Sequence, residues 1–158
     1  MVIYKDSPFE YELPLIPLDS HGVCKKGLAL EMKRRYPYAA SAYKRLCIEK
    51  EFNAGDLYIH EDKDGFGNIH QMIWICQGKG TLNDIEQCMK NIAALTKVDD
   101  NIDEIAIGGF KALAEWGDIK YLMKRYLRGT SVHFIIVEEY IKNEIIDNLD
   151  FRDAWRRR

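Results

Sequence analysis

The sequence has no CxxC pair, no secretory leader pattern, no apolar run approaching membrane-spanning length and no surplus of basic charge. Its four cysteines, Cys24, Cys47, Cys76 and Cys88, are spread singly. That spacing excludes a dense disulfide scaffold and predicts free thiols in a reducing cytoplasm. A bilayer-spanning helix needs about 20 consecutive apolar residues, and without one no membrane partner is expected. The four histidines show no H-x-x-x-H or H-E-x-x-H spacing, so no metal site is expected. Lys and Arg total 23 against 25 Asp and Glu, a formal net charge of −2. This balance excludes the strongly basic footprint of most nucleic-acid-binding proteins, so a polyanionic partner has to be engaged locally.

What is present fits one globular domain. The chain has 158 residues, 47% of them hydrophobic and 30% charged, enough to bury a core without a disulfide or metal. Short apolar runs alternate with longer helical patterns, the rhythm of an α/β fold. Strands are predicted at Asp56–His60, Gln71–Cys76, Glu104–Ile107 and Val132–Val137, with a short edge strand at Val2–Tyr4. The run Leu13–Leu18 is extended and apolar, but Pro14 and Pro17 predict an edge or irregular strand. Helices are predicted over Gly27–Tyr36, Tyr38–Lys50, Thr81–Thr96, Trp116–Leu127 and Glu138–Leu149. Thr81 with Asp84 resembles a capping box with Asp in place of Glu. The polar segment Glu61–Asn68 reads as a hairpin tip and lacks the spacing of a calcium loop.

The informative segment is Asp19–Leu30, a glycine-bearing loop that leaves a strand and enters a helix. Such a loop aims free backbone N–H groups and a positive helix end at an anion, typically phosphate. Gly22 and Gly27 have Walker A spacing, but Leu28 and Ala29 stand where Lys and Ser or Thr belong, which argues against nucleotide triphosphate hydrolysis of that type. The chain also lacks GxGxxG, and no cofactor is expected. The competing reading is that both glycines serve only a tight turn and close helix packing.

The run Gly22, Val23, Gly27, Leu28, Ala29 resembles the first ligand loop of the macrodomain family, which reads N-x-x-G-V-M/W-G-x-G-I/L-A. Arg35-Tyr36-Pro37-Tyr38-Ala39, with Tyr43 and Cys47, resembles the helix pair that follows it. Ile105–Phe110 with Leu113 and Trp116 resembles the second ligand loop, a strand ending in a glycine-rich turn. Most of residues 10–137 can be laid on this pattern in order. The resemblance implies a three-layer α/β/α macrodomain-like sandwich with a mixed central sheet. It also implies a cleft for ADP-ribose whose diphosphate is held by backbone N–H groups of both loops. Members include readers of ADP-ribose, ADP-ribosyl glycohydrolases and ADP-ribose 1″-phosphate phosphatases.

The departures bear on chemistry. Asp19 stands where hydrolytic members place an Asn, and Lys25 replaces a glycine. As a general base Asp19 would activate water, and as a turn residue it would only shape the loop. Histidine is the side chain suited to acid–base work near neutral pH, which makes His21 a second catalytic candidate, or a hydrogen-bond donor to ligand. Cys24 is a reactive thiol at a helix N-terminus or a packing residue. Lys26 joins Lys25 and the loop glycines as a ligand-binding candidate. In the second loop Gly108 and Gly109 approach the ligand, and Phe110 either stacks on a ribose or base or closes the apolar layer. Glu115 stands near the missing acid of some glycohydrolases, with a structural first-turn role as its alternative. Lys79 falls where one branch keeps a catalytic lysine, and its alternative is a solvated loop cation. Asp6 is a candidate for the adenine.

The domain is therefore expected to span residues 1–149, with 150–158 a basic tail ending in Trp155 and Arg156–Arg158. Three readings follow from the resemblance. The chain binds ADP-ribose or a related nucleotide and hydrolyses an ADP-ribosyl or 1″-phosphate linkage, with ADP-ribosylated protein or nucleic acid as partner. Alternatively it is a catalytically degenerate reader that sequesters the nucleotide, or an interaction module whose cleft Lys25 and Lys26 close.

Overall fold

The computed structural model describes residues 7–110 and 113–137. The elements expected at Val2–Tyr4 and Glu138–Leu149, the 150–158 tail, Asp6, Lys111 and Ala112 lie outside the described residues. A 3-10 turn at Pro8–Glu10 leads into strand β1 (Pro14–Leu18). Helices α1 (Gly27–Arg35) and α2 (Pro37–Ile48) follow, then the hairpin β2 (Leu57–Lys63) and β3 (Ile69–Cys76). The chain continues through α3 (Leu82–Val98), β4 (Glu104–Ile107), α4 (Trp116–Leu127) and β5 (His133–Ile136). Among these helices none is long and apolar enough to cross a membrane.

The five strands form one mixed sheet in the order β2-β3-β1-β4-β5. β1 pairs parallel with β3 and with β4, β4 pairs parallel with β5, and the β2–β3 hairpin alone is antiparallel. Period-two alternation sends successive side chains to opposite faces. Ile16, Leu18, Met72, Trp74 and Cys76 pack with Leu28, Met32, Ala39 and Tyr43 of α1 and α2. Leu15, Ile73, Ile75, Ile105 and Ile107 pack with Ile85, Met89, Ile92, Ile119 and Leu122 of α3 and α4. These two cores make the three layers expected from the resemblance.

β1 corrects one expectation. Far from lying at an edge, it is the central strand, buried along its whole length. Its prolines are tolerated because each falls where one ladder is missing. Leu13 and Leu15 accept from β4, through Ala106 N and Gly108 N at 3.0 and 2.9 Å, whereas Leu18 accepts from Gln77 N at 2.8 Å. Alternation therefore turns Pro17 toward β4, whose ladder with β1 covers only Pro14 and Leu15. Pro14, turned toward β3, precedes the first β3 partner, Leu15.

The hairpin is longer than expected. Glu61, Asp62 and Lys63 pair with Gln71, His70 and Ile69, so the turn shrinks to residues 64–68. The Asp64 carboxylate organises it, accepting from Phe66 N and Asn68 N at 2.8 and 3.0 Å and meeting His70 Nε2 at 2.7 Å. The helix expected over Tyr38–Lys50 begins one residue earlier, with Pro37 at its first position, where a missing N–H costs nothing. In α3 the apolar stripe and its cap fall as the sequence suggests, with Asp84 N donating to Thr81 Oγ1 at 3.2 Å. Thr81→Ala is expected to cost about 1 kcal/mol and to lower Tm by roughly 2–4 °C, measured by calorimetric unfolding. A shift within error would remove the cap as the origin of the helix start.

Candidate functional site

Chain connections leave β1 toward the α1–α2 face and leave β4 toward the α3–α4 face. A crevice opens at the carboxyl ends of such neighbouring strands because their following loops diverge. Here it is a cleft of about 360 Å3 lined by residues that include Pro17, Asp19, Lys25, Lys26, Tyr43 and Gly109. Pro17 contributes directly to the opening. With no N–H to offer β4, it stands where the two strands cease to pair, beside Gly108 and sharing the cleft lining with Gly109.

The loop after β1 is held by one buried side chain. The Tyr43 hydroxyl accepts from Gly22 N at 3.2 Å and lies 2.8 Å from both the Asp19 backbone oxygen and Asp19 Oδ1, to which it is the donor. Tyr43 is 1% exposed. Burial and the Asp19 carboxylate push its own ionisation far above the ordinary tyrosine range, so it remains a neutral donor. Asp19 Oδ1 also accepts from His21 N at 2.9 Å. Gly22 closes the turn with φ +75°, and a Cβ there would lie 3.1 Å from the Cys47 Cβ. Only glycine combines that backbone with that approach.

Helix α1 then begins at the cleft. Its first turn carries no acidic residue and its N-cap, Lys26, makes no side-chain capping bond. The leading N–H groups of an α-helix have no intrahelical partner, and here they start beside Lys25, Lys26, Leu28 and Ala29, all lining the cleft. Two lysines face a single lining carboxylate, Asp19. The site is thus built to receive an anion through backbone donors and a positive helix end.

Of the residues singled out from sequence, Asp19, Val23, Lys25, Lys26 and Gly109 come together as cleft lining. Gly22 and Gly27 shape the loop from behind, Gly27 opening α1 with φ +61°. His21 is exposed and outside the lining, and its backbone N–H donates to Asp19 Oδ1. Cys24 packs against the α1–α2 core, where burial raises its thiol above the ordinary value and favours the unreactive protonated form. Gly108 is buried, pressed against Leu28 so closely that a Cβ would collide with it. Phe110 lies in the core beneath α3 and α4. Lys79 is exposed and outside the cleft lining, its N–H donating to Asp84 Oδ2 at 3.1 Å. Glu115 is the exposed residue preceding α4.

Tyr43 and Gln77 join the site without having been singled out as ligand candidates. Tyr43 reads as a core residue because its spacing in α2 is that of the buried stripe. Gln77 directly follows the last residue of β3, and its position relative to β1 emerges only when those strands pair.

No family model and no curated protein matches the sequence. Solved structures do match. The macrodomain of Mycobacterium tuberculosis DarG superposes with a TM-score of 0.71 at 21% identity, covering 87% of this chain and 97% of that one. The Thermus aquaticus DarG macrodomain gives 0.71 at 18%, covering 86% and 96%. The chain has the macrodomain fold. Thermosipho africanus DarTG, solved in complex with ADP-ribose, matches at 0.68 and 20% identity, over 86% of this chain and 40% of that longer one. In this fold, as in other open α/β sheets, the strands' carboxyl ends are where a ligand cleft belongs.

Two outcomes follow from the geometry. Tyr43→Phe is expected to destabilise the protein by about 1–3 kcal/mol, because it strands the buried Gly22 N–H. Amide exchange at Gly22 should accelerate more than in the α3–α4 core, and equal acceleration everywhere would refute the local pin. Burial also holds the Cys47 and Cys76 thiols near 11 and Cys88 near 12, against an ordinary 9.0. The folded state thus binds these protons more tightly than the unfolded one. Their stabilisation is complete below pH 9 and is lost as pH climbs toward about 11–12. Denaturant midpoints across that range should fall, and less steeply in a Cys88→Ala variant.

Proposed function

We propose that this macrodomain binds ADP-ribose or a closely related nucleotide in the cleft at the ends of β1, β3 and β4. The observation that carries the reading is the uncapped N-terminus of α1 opening beside Lys25 and Lys26, a donor array suited to a diphosphate. The ADP-ribose bound to Thermosipho africanus DarTG supports the same ligand class. The mild net charge of −2 fits, since a diphosphate gathered by amides and two lysines needs no broad basic surface.

The arrangement favours a reader over an enzyme that uses His21. That ring lies outside the cleft lining and leaves Asp19 as the lining carboxylate. Hydrolysis of an ADP-ribosyl or 1″-phosphate linkage is the second reading, supported by Asp19 as a general base within the cleft. ADP-ribosylated protein or nucleic acid would be the partner in either case. Lys25 and Lys26 line the cleft without closing it, leaving about 360 Å3 between its walls.

Calorimetric titration with ADP-ribose should show saturable one-to-one binding, and the double variant Lys25→Glu, Lys26→Glu should weaken it by at least about tenfold. Absence of binding at millimolar ligand would remove the proposal. Turnover of ADP-ribose 1″-phosphate or of an ADP-ribosylated protein, lost in Asp19→Ala, would establish the hydrolytic reading over the reader.

A further inference from the structure

A second hollow, of about 710 Å3, lies between α3 and α4 and shares no lining residue with the cleft at the strand ends. Its charge comes from three exposed cations, Lys90 and Lys97 of α3 and Arg125 of α4. Lys97 and Arg125 stand in the last turns of their helices, where cations complement the helix dipole. Lys90 lies mid-helix, beyond the reach of that effect. Seven residues separate the two lysines, so they share one face of α3 at an axial spacing of about 10.5 Å. Among the described residues neither has an ion-pair partner. Ala93 and Ala94 line the groove between them, and Gly129 lines it from the turn after α4, so small side chains leave the space between the charges open.

One end of the groove is built around an aromatic ring. The Tyr126 hydroxyl donates to Glu86 Oε2 at 2.6 Å, and Arg125 Nη1 stands 3.9 Å from the same oxygen. The ring in turn attracts Lys90 and Arg125, whose charged ends lie 6.0 and 5.3 Å from its centroid. Two cations are thereby gathered at this end, with Lys97 at the other. Glu86 lies one turn before Lys90, and Asp100 lines the groove after Lys97, so carboxylates bound the row of cations on both sides.

We propose that this groove is a docking site for an acidic amphipathic helix of a protein partner. Two carboxylates seven residues apart on such a helix repeat the spacing of Lys90 and Lys97, and the small or apolar residues between them rest against Ala93 and Ala94. A nucleic-acid strand fits less well. It carries a charge on every nucleotide and would run onto Glu86 and Asp100, whereas a short acidic stretch ends where the cations end.

The test is an amide chemical-shift titration of the full chain with an alanine-rich helical peptide carrying two glutamates seven residues apart. The competing probes are its isomer with the glutamates five apart, which sets them on different faces, and a short single-stranded oligonucleotide. The seven-spaced peptide is expected to bind at least about threefold more tightly than either, with shifts clustered on 90–97 and 125–131. Lys90→Glu with Lys97→Gln should weaken it by at least about tenfold. Ala94→Trp, which fills the groove without changing its charge, should abolish binding. All three positions are exposed, so thermal midpoints near wild type separate lost docking from lost folding. Equal binding of the two peptides, tighter binding of the oligonucleotide, unchanged affinity in the lysine variant, or no peptide binding at millimolar concentration would each overturn the proposal. Sedimentation showing a dimer that the lysine variant dissociates would overturn it too, by making the occupant a second copy of this chain.

Discussion

One phenolic hydroxyl joins the parts of this macrodomain-like fold that make its cleft. Tyr43, in the middle of α2, accepts from Gly22 N and donates its O–H to Asp19, the residue after β1. The loop between β1 and α1 would otherwise be a solvated tether whose ordering costs backbone entropy. Tied to a buried side chain, it has one shape, and that shape sets where α1 begins. The aromatic ring is held in turn by Phe52 and Trp74 at edge-on centroid distances of 5.8 and 6.2 Å. Cleft geometry is thereby coupled to the packing of the α1–α2 layer on the sheet.

The opening itself comes from a break in the sheet. β1 and β4 share only two register pairs before Pro17 turns a face without an N–H toward β4. A residue able to continue the ladder would draw the strands together at the point where the ligand is proposed to enter. The buried Gly108, pressed against Leu28, keeps the α1 layer close on one side of that break. Leu113 N and Ala114 N, donating to the Gly80 oxygen at 2.9 and 3.1 Å, tie the loop after β4 to the loop after β3. The cleft walls are thus linked to one another by the backbone.

Much of this was legible in the residues. The α3 stripe and Thr81 cap, the bounds of β4 and α4, and the anion-directed loop at Asp19–Leu30 all follow from local spacing. What local rules missed or left open shares a cause. Pro14 and Pro17 demote β1 on any local rule, because the rule assumes a strand paired along both sides for its full length. Phe110 reads equally as a stacking group or as a core residue until the position of α4 is known, and it lies in the core. Tyr43 reads as core, which it is, but its hydroxyl acquires a partner only when a loop more than twenty residues earlier folds back onto it.

The sequence by itself determined the α/β class, the helix stripes and caps, and the presence of a glycine-bearing loop opening a helix. These depend on periodicity and on backbone conformations that a few neighbouring residues control. The tertiary structure alone decided that β1 is central, that Asp19 is turned and half satisfied by Tyr43, and that His21, Phe110 and Lys79 do not line the cleft. Hydrogen-bond partners across the fold are chosen by packing, since a buried donor takes whichever acceptor the converging layers bring within reach.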